Sequence, residues 1–306
     1  MAKKAYVGVN DVARNVSKIY VGINGVARKV TKGYVGVNGV AKQFFGDGGG
    51  LAVFYSYSPN NAQYVFDKTS RTWSNKTWGS NLKPDGGRYI WSDGNNVYYS
   101  NGTAQWVLNK ATSTWTNKTW SGIYYAFSGI NIWTDNEDIY YTNYIAGSGY
   151  KTYILDKSTG TWSTKTWNGF TPEYGRLIWS DGTNVYYSDN RSQYVLNKST
   201  STWSSKSWSG YNRMFGYNIW SDGSNVYYSY GSTQYVLNKS NSTWSTKTWN
   251  GLTNFDGEDI WTDGEDIYYS SGNQYVLNKS TSTWTDITSL GTIAPADGVD
   301  VWTMTI

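Results

Sequence analysis

Short apolar runs, broken by polar turns, return along most of this chain with a long and nearly constant period. Each period carries the same words in the same order: "IWSD" or "IWTD", a Gly-rich turn, "VYYS" or "IYYT", then "YVLNK" or a near copy, then "STWSTKTW". The anchoring tryptophans are Trp91, Trp133, Trp179, Trp220, Trp261 and Trp302, spaced 42, 46, 41, 41 and 41 residues apart. Runs rich in β-branched and aromatic residues, bounded by Gly, Asn, Asp and Ser, read as strands. Asp-Gly between two such runs predicts a hairpin turn. "VYYS" and "YVLN" are apolar without strict alternation, as expected of strands covered on both faces. Four antiparallel strands per unit, repeated at this period, predict the blades of a β-propeller.

The two ends of the array complement each other. The first unit begins at "LAVFYSYS", which matches the second strand of the pattern and lacks an "IW" strand before it. The last unit ends at "GVDVWTMTI", an "IW" strand with nothing after it. Pairing Val299 to Thr305 beside Leu51 to Tyr57 closes a ring of six blades and removes the exposed edges that sheets must avoid. The expectation is an all-β chain: a six-bladed propeller over residues 47–306, closed by its C-terminal strand. "YVLNKSTSTW" (194–203) and "YILDKSTGTW" (153–162) resemble the part of a kelch repeat where a strand ends in Asp or Asn and a turn leads to Trp. The double glycine usual in that repeat is replaced by "YYS", so the units are kelch-like.

Residues 1–46 carry a second period of 14: "AYVGVNDVARNVSK", "IYVGINGVARKVTK", "GYVGVNGVAKQFFG". Each unit reads as two short strands around Asn-Asp or Asn-Gly, hence a β-hairpin. A two-residue turn at Asn24-Gly25 places Ile23 opposite Val26 and Gly22 opposite Ala27. One face is then rich in Val and Ile, while Gly and Ala open the other to a close neighbour. Three hairpins are too few to bury a self-sufficient core, so this module needs a partner. Its wording resembles the N-terminal segments of tail-associated virion proteins from bacteriophages of Gram-positive bacteria, over residues 5–44. That resemblance implies an assembly role: attachment to other virion proteins and to copies of itself, with the distal domain free to meet a host surface. It also implies location in the virion after synthesis in the bacterial cytoplasm.

Composition narrows the chemistry. The chain of 306 residues has no Cys and no His, which excludes disulfides, thiolate or imidazole metal sites and Ser-His or Cys-His nucleophile pairs. No cofactor or metal is expected. No run approaches the length of a membrane span, and the start lacks the apolar core of a secretory signal. The net charge of +4 is uneven, with +7 on residues 1–46 and −3 on the rest. The basic charges are spread through the hairpin repeats, favouring a solvated face or an acidic protein partner over nucleic acid.

What differs between units points to function. In an up-and-down blade, the turns 1–2 and 3–4 lie at one end, and the turns 2–3 and the connection to the next blade lie at the other. "SDG(S/T/N)N" and "NKSTST" are nearly fixed, whereas "SGIYYAFSGIN", "NGFTPEYGRL", "SGYNRMFGYN" and their counterparts differ. The varied loops present Tyr124, Tyr125, Phe127, Tyr144, Tyr150, Phe170, Tyr174, Tyr211, Phe215 and Phe255, with Arg88, Arg176, Arg191 and Arg213. Tyr and Arg are favoured anchors of recognition surfaces, and aromatic faces beside hydrogen-bonding groups suit sugars. The candidate ligand-binding set is Tyr124, Tyr125, Phe127, Tyr174, Arg176, Tyr211, Arg213 and Phe215, for a host-surface glycan or protein. The alternative is that these loops simply drift and some of the aromatics fill the blade tops.

Two further readings compete. Glycoside hydrolysis needs two converging carboxylates, and the varied face offers Asp85, Glu173, Asp256, Glu258 and Asp300 without singling out a pair. A purely structural spacer or decoration protein is the other. The carboxylates of "DNEDIYY" and "DGEDIYY" could suggest calcium, but other blades put Asn or Thr there, as solvated turn residues would allow. The Asn-Lys-Thr triplets match a glycosylation sequon only because the fixed turn repeats.

Overall fold

The computed structural model describes residues 51–57, 61–79, 82–123, 127–291 and 293–305 in full, and the backbone of six strands between residues 5 and 46. The chain divides into two compact units, residues 1–52 with 304–306, and residues 53–303.

In the N-terminal unit Ala5–Val9 pairs with Val12–Val16, Ile19–Ile23 with Val26–Val30, and Lys32–Val37 with Val40–Gly46. The register sets Ile23 against Val26 and Gly22 against Ala27, as the two-residue turn requires. The Asn-Asp and Asn-Gly turns themselves lie outside the described residues. Each hairpin is a separate two-stranded sheet.

The second unit is a six-bladed β-propeller. Blade 1 has the order Val301–Thr305, Leu51–Tyr57, Ala62–Asp67, Thr72–Asn75, so the last strand of the chain supplies the first strand of the first blade. Blades 2 to 6 follow, each opened by its Ile-Trp strand: Ile90–Ser92, Ile132–Thr134, Ile178–Ser180, Ile219–Ser221 and Ile260–Thr262. In each blade the indole N–H of that Trp donates to the hydroxyl of the Ser or Thr ending the "YYS" word, from Trp91 to Ser100 (3.0 Å) through Trp261 to Ser270 (2.9 Å). Trp302 makes the same bond to Ser56 at 3.0 Å. Closure thus repeats the hydrogen bond found inside every other blade.

Aromatic packing joins the blades. Trp179, Trp208 and Trp244 meet at centroid distances of 5.7–6.1 Å, and the pattern recurs in Trp220–Trp249–Trp284 and three other interfaces. The second Trp of each triad carries a Lys ammonium over its ring, 4.4 Å away for Lys247 on Trp249. At the sixth interface Ile287 stands among Trp73, Trp261 and Tyr268. The aromatic rings bury large area and prefer such tilted contacts.

Candidate functional site

One face of the propeller is occupied by structural work. At each 1–2 turn an aspartate (Asp93, Asp135, Asp181, Asp222, Asp263) accepts the backbone N–H groups two and three residues ahead and a Tyr hydroxyl five residues ahead. Burial acts to raise the pKa of Asp93, Asp181 and Asp222, but these donors outweigh it and hold the three carboxyls below the usual carboxylate range. Asp135 and Asp263 are buried, not solvated as the sequence suggested, because the turn closes over them. Lysines of the 3–4 turns reach the carbonyls of these aspartates in the preceding blade: Lys68 to Asp263, Lys198 to Asp135, Lys239 to Asp181 and Lys279 to Asp222. Arg71 adds an ion pair to Asp266 at 2.9 Å.

The opposite face carries the loops, but much of each loop is fixed too. After the fourth strand the connection runs beside the outer strand of the next blade, as where Asn168–Gly169 pairs in parallel with Thr202 and Trp203. An apolar side chain then packs on that next blade: Ile123, Phe170, Tyr211 and Leu252 hold equivalent places. Tyr211 stacks on Tyr235 at 4.5 Å as Phe170 does on Tyr194 at 3.9 Å, so Tyr211 is a wall of blade 5 and has counterparts in other blades. Next comes a buried plug. Phe127, Met214 and Phe255 are at most 2% exposed, with Pro84, Pro172 and Pro295 at the equivalent positions of the other loops. Phe127 and Phe255 are therefore core residues and not exposed anchors. Their carbonyls accept from the Gln of the third strand, and a backbone bond from Phe127 to Gly102 ties the loop to the neighbouring 2–3 turn.

Each loop ends in a short 3₁₀ turn with glycine first: Gly87–Tyr89, Gly129–Asn131, Gly175–Leu177, Gly216–Asn218, Gly257–Asp259 and Gly298–Asp300. The six turns touch in sequence, and the last touches the first, forming an inner ring. A Cβ on any of these glycines would lie 1.8–2.2 Å from a carbonyl oxygen of the preceding turn. Sequence comparison by whole loops missed this ring; the signal was the glycine standing three residues before every "IW" or "VW".

Charge gathers where the ring closes. Arg88, half-buried, donates to Asp297 at 2.7 Å and to Asp300 at 2.9 Å, binding the last turn to the first. On the other side Gly298 N–H donates to Asp259. Burial, and then the neighbouring Asp297, push Asp259 well above the usual carboxylate range. Glu258 is raised as well, by burial first and by Asp297 and Asp256 next. Asp85 accepts from Tyr99 and Asn101, and Asp256 from Gly231 N–H, so both hold loops in place. An open cavity of about 460 Å³ lies where the ring meets the inner strands of blades 1 to 3, lined by Arg88, Ile130, Ile90, Ile132 and Val301 among others.

Above this framework lies a row of aromatic side chains, exposed at Tyr144, Tyr150 and Tyr230 and half-buried at Tyr174, Phe215 and Tyr217, which pack against the core of blade 4. Blade 3 has the longest hairpin, Ile139–Ile145 with Gly149–Asp156, which accounts for the 46-residue spacing, and its tip pairs Tyr144 with Tyr150. Their rings lie 5.4 Å apart, and Tyr150 meets Tyr174 at 6.1 Å. The Arg176 guanidinium sits between Tyr174 (5.8 Å) and Tyr217 (5.5 Å). Tyr217 stacks with Phe215 at 5.3 Å, and Phe215 meets Tyr230 at 6.4 Å. Tyr174, Arg176 and Phe215 from the sequence-derived set thus share one row. Arg213 is exposed but outside these contacts, and Tyr124 and Tyr125 lie outside the described residues. Tyr217 and Tyr230 were missed, since both adjoin fixed words of the repeat.

No protein-family model and no curated protein matches the chain. Among solved structures the chain is similar to a provisionally assigned 6-phosphogluconolactonase from Bacteroides uniformis, at 14% identity and a TM-score of 0.45, covering 83% of this chain and 99% of that one. It is also similar to the extracellular domain of a provisionally assigned one-component system from B. thetaiotaomicron, at 10% identity and a TM-score of 0.49. That alignment covers 84% of this chain and 37% of the other, so the chain spans about a third of its length.

Proposed function

We propose that the protein is a binding propeller of a bacteriophage virion, attached to the particle through residues 1–46 and displaying its loop face to a host-surface ligand. The observation that carries the binding role is the placement of exposed apolar side chains. Among the described residues Tyr144, Tyr150, Tyr230 and Leu290 are the large hydrophobic residues at least 40% exposed, and they lie at the tips of 2–3 hairpins or, for Leu290, in a blade connection. The fixed face has none of them, although both faces are built from the same repeat. Drift in loop sequence explains difference between blades but not this one-sided display of tyrosine.

The virion role rests on the wording of the 14-residue repeat and on three hairpins whose outer edges have no partner strand among the described residues. Isolated hairpins are marginal in water, so a partner stabilises them. A hydrolytic role is less well supported: Asp85, Asp256 and Asp300 each hold a loop or a turn, leaving Glu173 and Glu258 without an assigned catalytic pairing. The test uses the labelled full-length protein on a panel of Gram-positive cells, together with sedimentation alongside phage particles. Binding to cells and co-sedimentation are expected. A protein that does neither has a different function.

A further inference from the structure

The aromatic row is a chain of successive neighbours. It crosses three blades and advances in steps of 5.3–6.4 Å. Successive rings are turned against each other, at 67° for Tyr144–Tyr150 and 77° for Tyr150–Tyr174, so different rings present faces and edges along the track. Such a row suits an extended ligand with a repeating unit about one ring long. It suits a folded protein poorly, because a protein interface buries roughly 800 Å² per partner around a core shielded by surrounding contacts.

Charge separates the two kinds of extended polymer that stack on aromatic side chains. Single-stranded nucleic acid needs a basic groove to track its phosphates. Here the charges are mixed: Glu173, Asp256 and Glu258 act on Tyr150 and Tyr217 together with Arg176, and Lys151, Arg191 and Arg213 stand on the same hairpins and loops, so no continuous basic groove follows the row. A polyanion would meet interspersed carboxylates where it needs a basic track. A pyranose chain without net negative charge meets no such penalty: its C–H faces lie on the rings, and its hydroxyls find carboxylate acceptors and the guanidinium donor beside them.

We infer that the row from Tyr144 to Tyr230 is a track for a linear polysaccharide that is uncharged or amino-substituted. This rests on the binding role proposed above and gives it a site and a ligand class. Arg176, held between two rings, acts as the fixed donor at the middle of the track, where lysine could not keep the planar stacking.

The full-length protein is tested on an array of linear glucans, chitooligosaccharides, chitosan oligomers, polyuronates and polyuridylate, and on bacterial cells treated with periodate or protease. Binding to neutral or amino oligomers is expected, strengthening with chain length over several sugar units, persisting in high salt, and lost from periodate-treated but not protease-treated cells. Tyr150→Ala and Tyr230→Ala, at exposed positions near opposite ends, should each lower affinity roughly tenfold. Tyr150→Phe should retain most of it, and Ser240→Ala on the fixed face should change nothing. Thermal melts confirm that the variants are folded. Cell binding that survives both alanine substitutions overturns the track while leaving the binding role standing. Binding confined to polyanions, or sensitive to protease alone, overturns the ligand class. No binding to cells or glycans removes both.

Discussion

The Trp302 indole donates to the Ser56 hydroxyl at 3.0 Å across 246 residues of chain, and Ser56 passes the bond on to Gln63 at 2.7 Å. Blade 4 has the same relay within a single repeat, from Trp179 to Ser188 to Gln193. The seam of the ring is built like its interior.

Ser56→Ala and Ser188→Ala should therefore cost similar amounts, about 1–3 kcal/mol each, because each leaves a buried indole N–H and a buried amide oxygen without that partner. For a domain of this size that is roughly 2–4 °C of melting temperature per kcal/mol. Differential scanning calorimetry on both variants is the check. A seam variant that melts as wild type would mean that the ends are not locked.

The glycine ring sets a second test. In Gly216→Ala the new methyl would stand 2.1 Å from the Leu177 carbonyl oxygen and 2.4 Å from its carbon, against backbone that cannot swing aside as a side chain could. Loss of more than about 4 kcal/mol, or failure to fold, is expected. Gly94→Ala meets no atom within 4 Å and carries only the strain of a φ of +94°, so it should cost about 1 kcal/mol. Urea titrations of the pair distinguish steric contact from backbone strain.

Phe127 and Tyr144 both belong to loops on the same face, yet they should respond in opposite ways. Phe127→Ala empties a place between Tyr141 and Trp162 and should cost about 3–5 kcal/mol. Tyr144→Ala removes a ring that is 52% exposed and should stay within about 0.5 kcal/mol. Equal losses would mean that the aromatic row is structural.

Asp259 gives a pH dependence. Its folded form keeps its proton well above the pH at which the unfolded chain releases it, through burial and the nearby Asp297. The folded state therefore binds more protons, and stability falls as the pH rises from the ordinary carboxylate range towards that raised value. Asp259→Asn, which places here the residue already found at the equivalent Asn131 and Asn218, should flatten that fall and raise the melting temperature at neutral pH. Melting curves from pH 4 to pH 9 are the measurement, and identical slopes in both proteins would contradict it.

The ring was legible because repetition exposes its own gaps: the strand missing before Leu51 is the strand left over at Val301. Burial within the loops was not. Ranking loops by their differences hid three fixed features in each of them: the apolar side chain at Tyr211 and its counterparts, the plug at Phe127 and its counterparts, and the glycine of the inner ring. Aromatic residue type also could not tell a plug from a free ring, since Phe255 and Phe215 lie at similar points of their loops and differ in burial. What separates them is position relative to the glycine: Phe255 stands two before it, where the chain turns inward, and Phe215 one before it, where the side chain stays half-exposed.

Since the joint between Trp302 and Ser56 repeats the hydrogen bond of every other first-to-second-strand joint, the opening of the ring is not tied to one blade. Cutting the chain at another 1–2 turn, such as the one held by Asp222, and splicing residue 305 to a linker that leads into Leu51 would move the opening while keeping the whole closing strand Val301–Thr305. The same interchangeability lets a copied blade carry its own loops into the ring, so the outer display can be rewritten one repeat at a time while the disc beneath keeps its grammar.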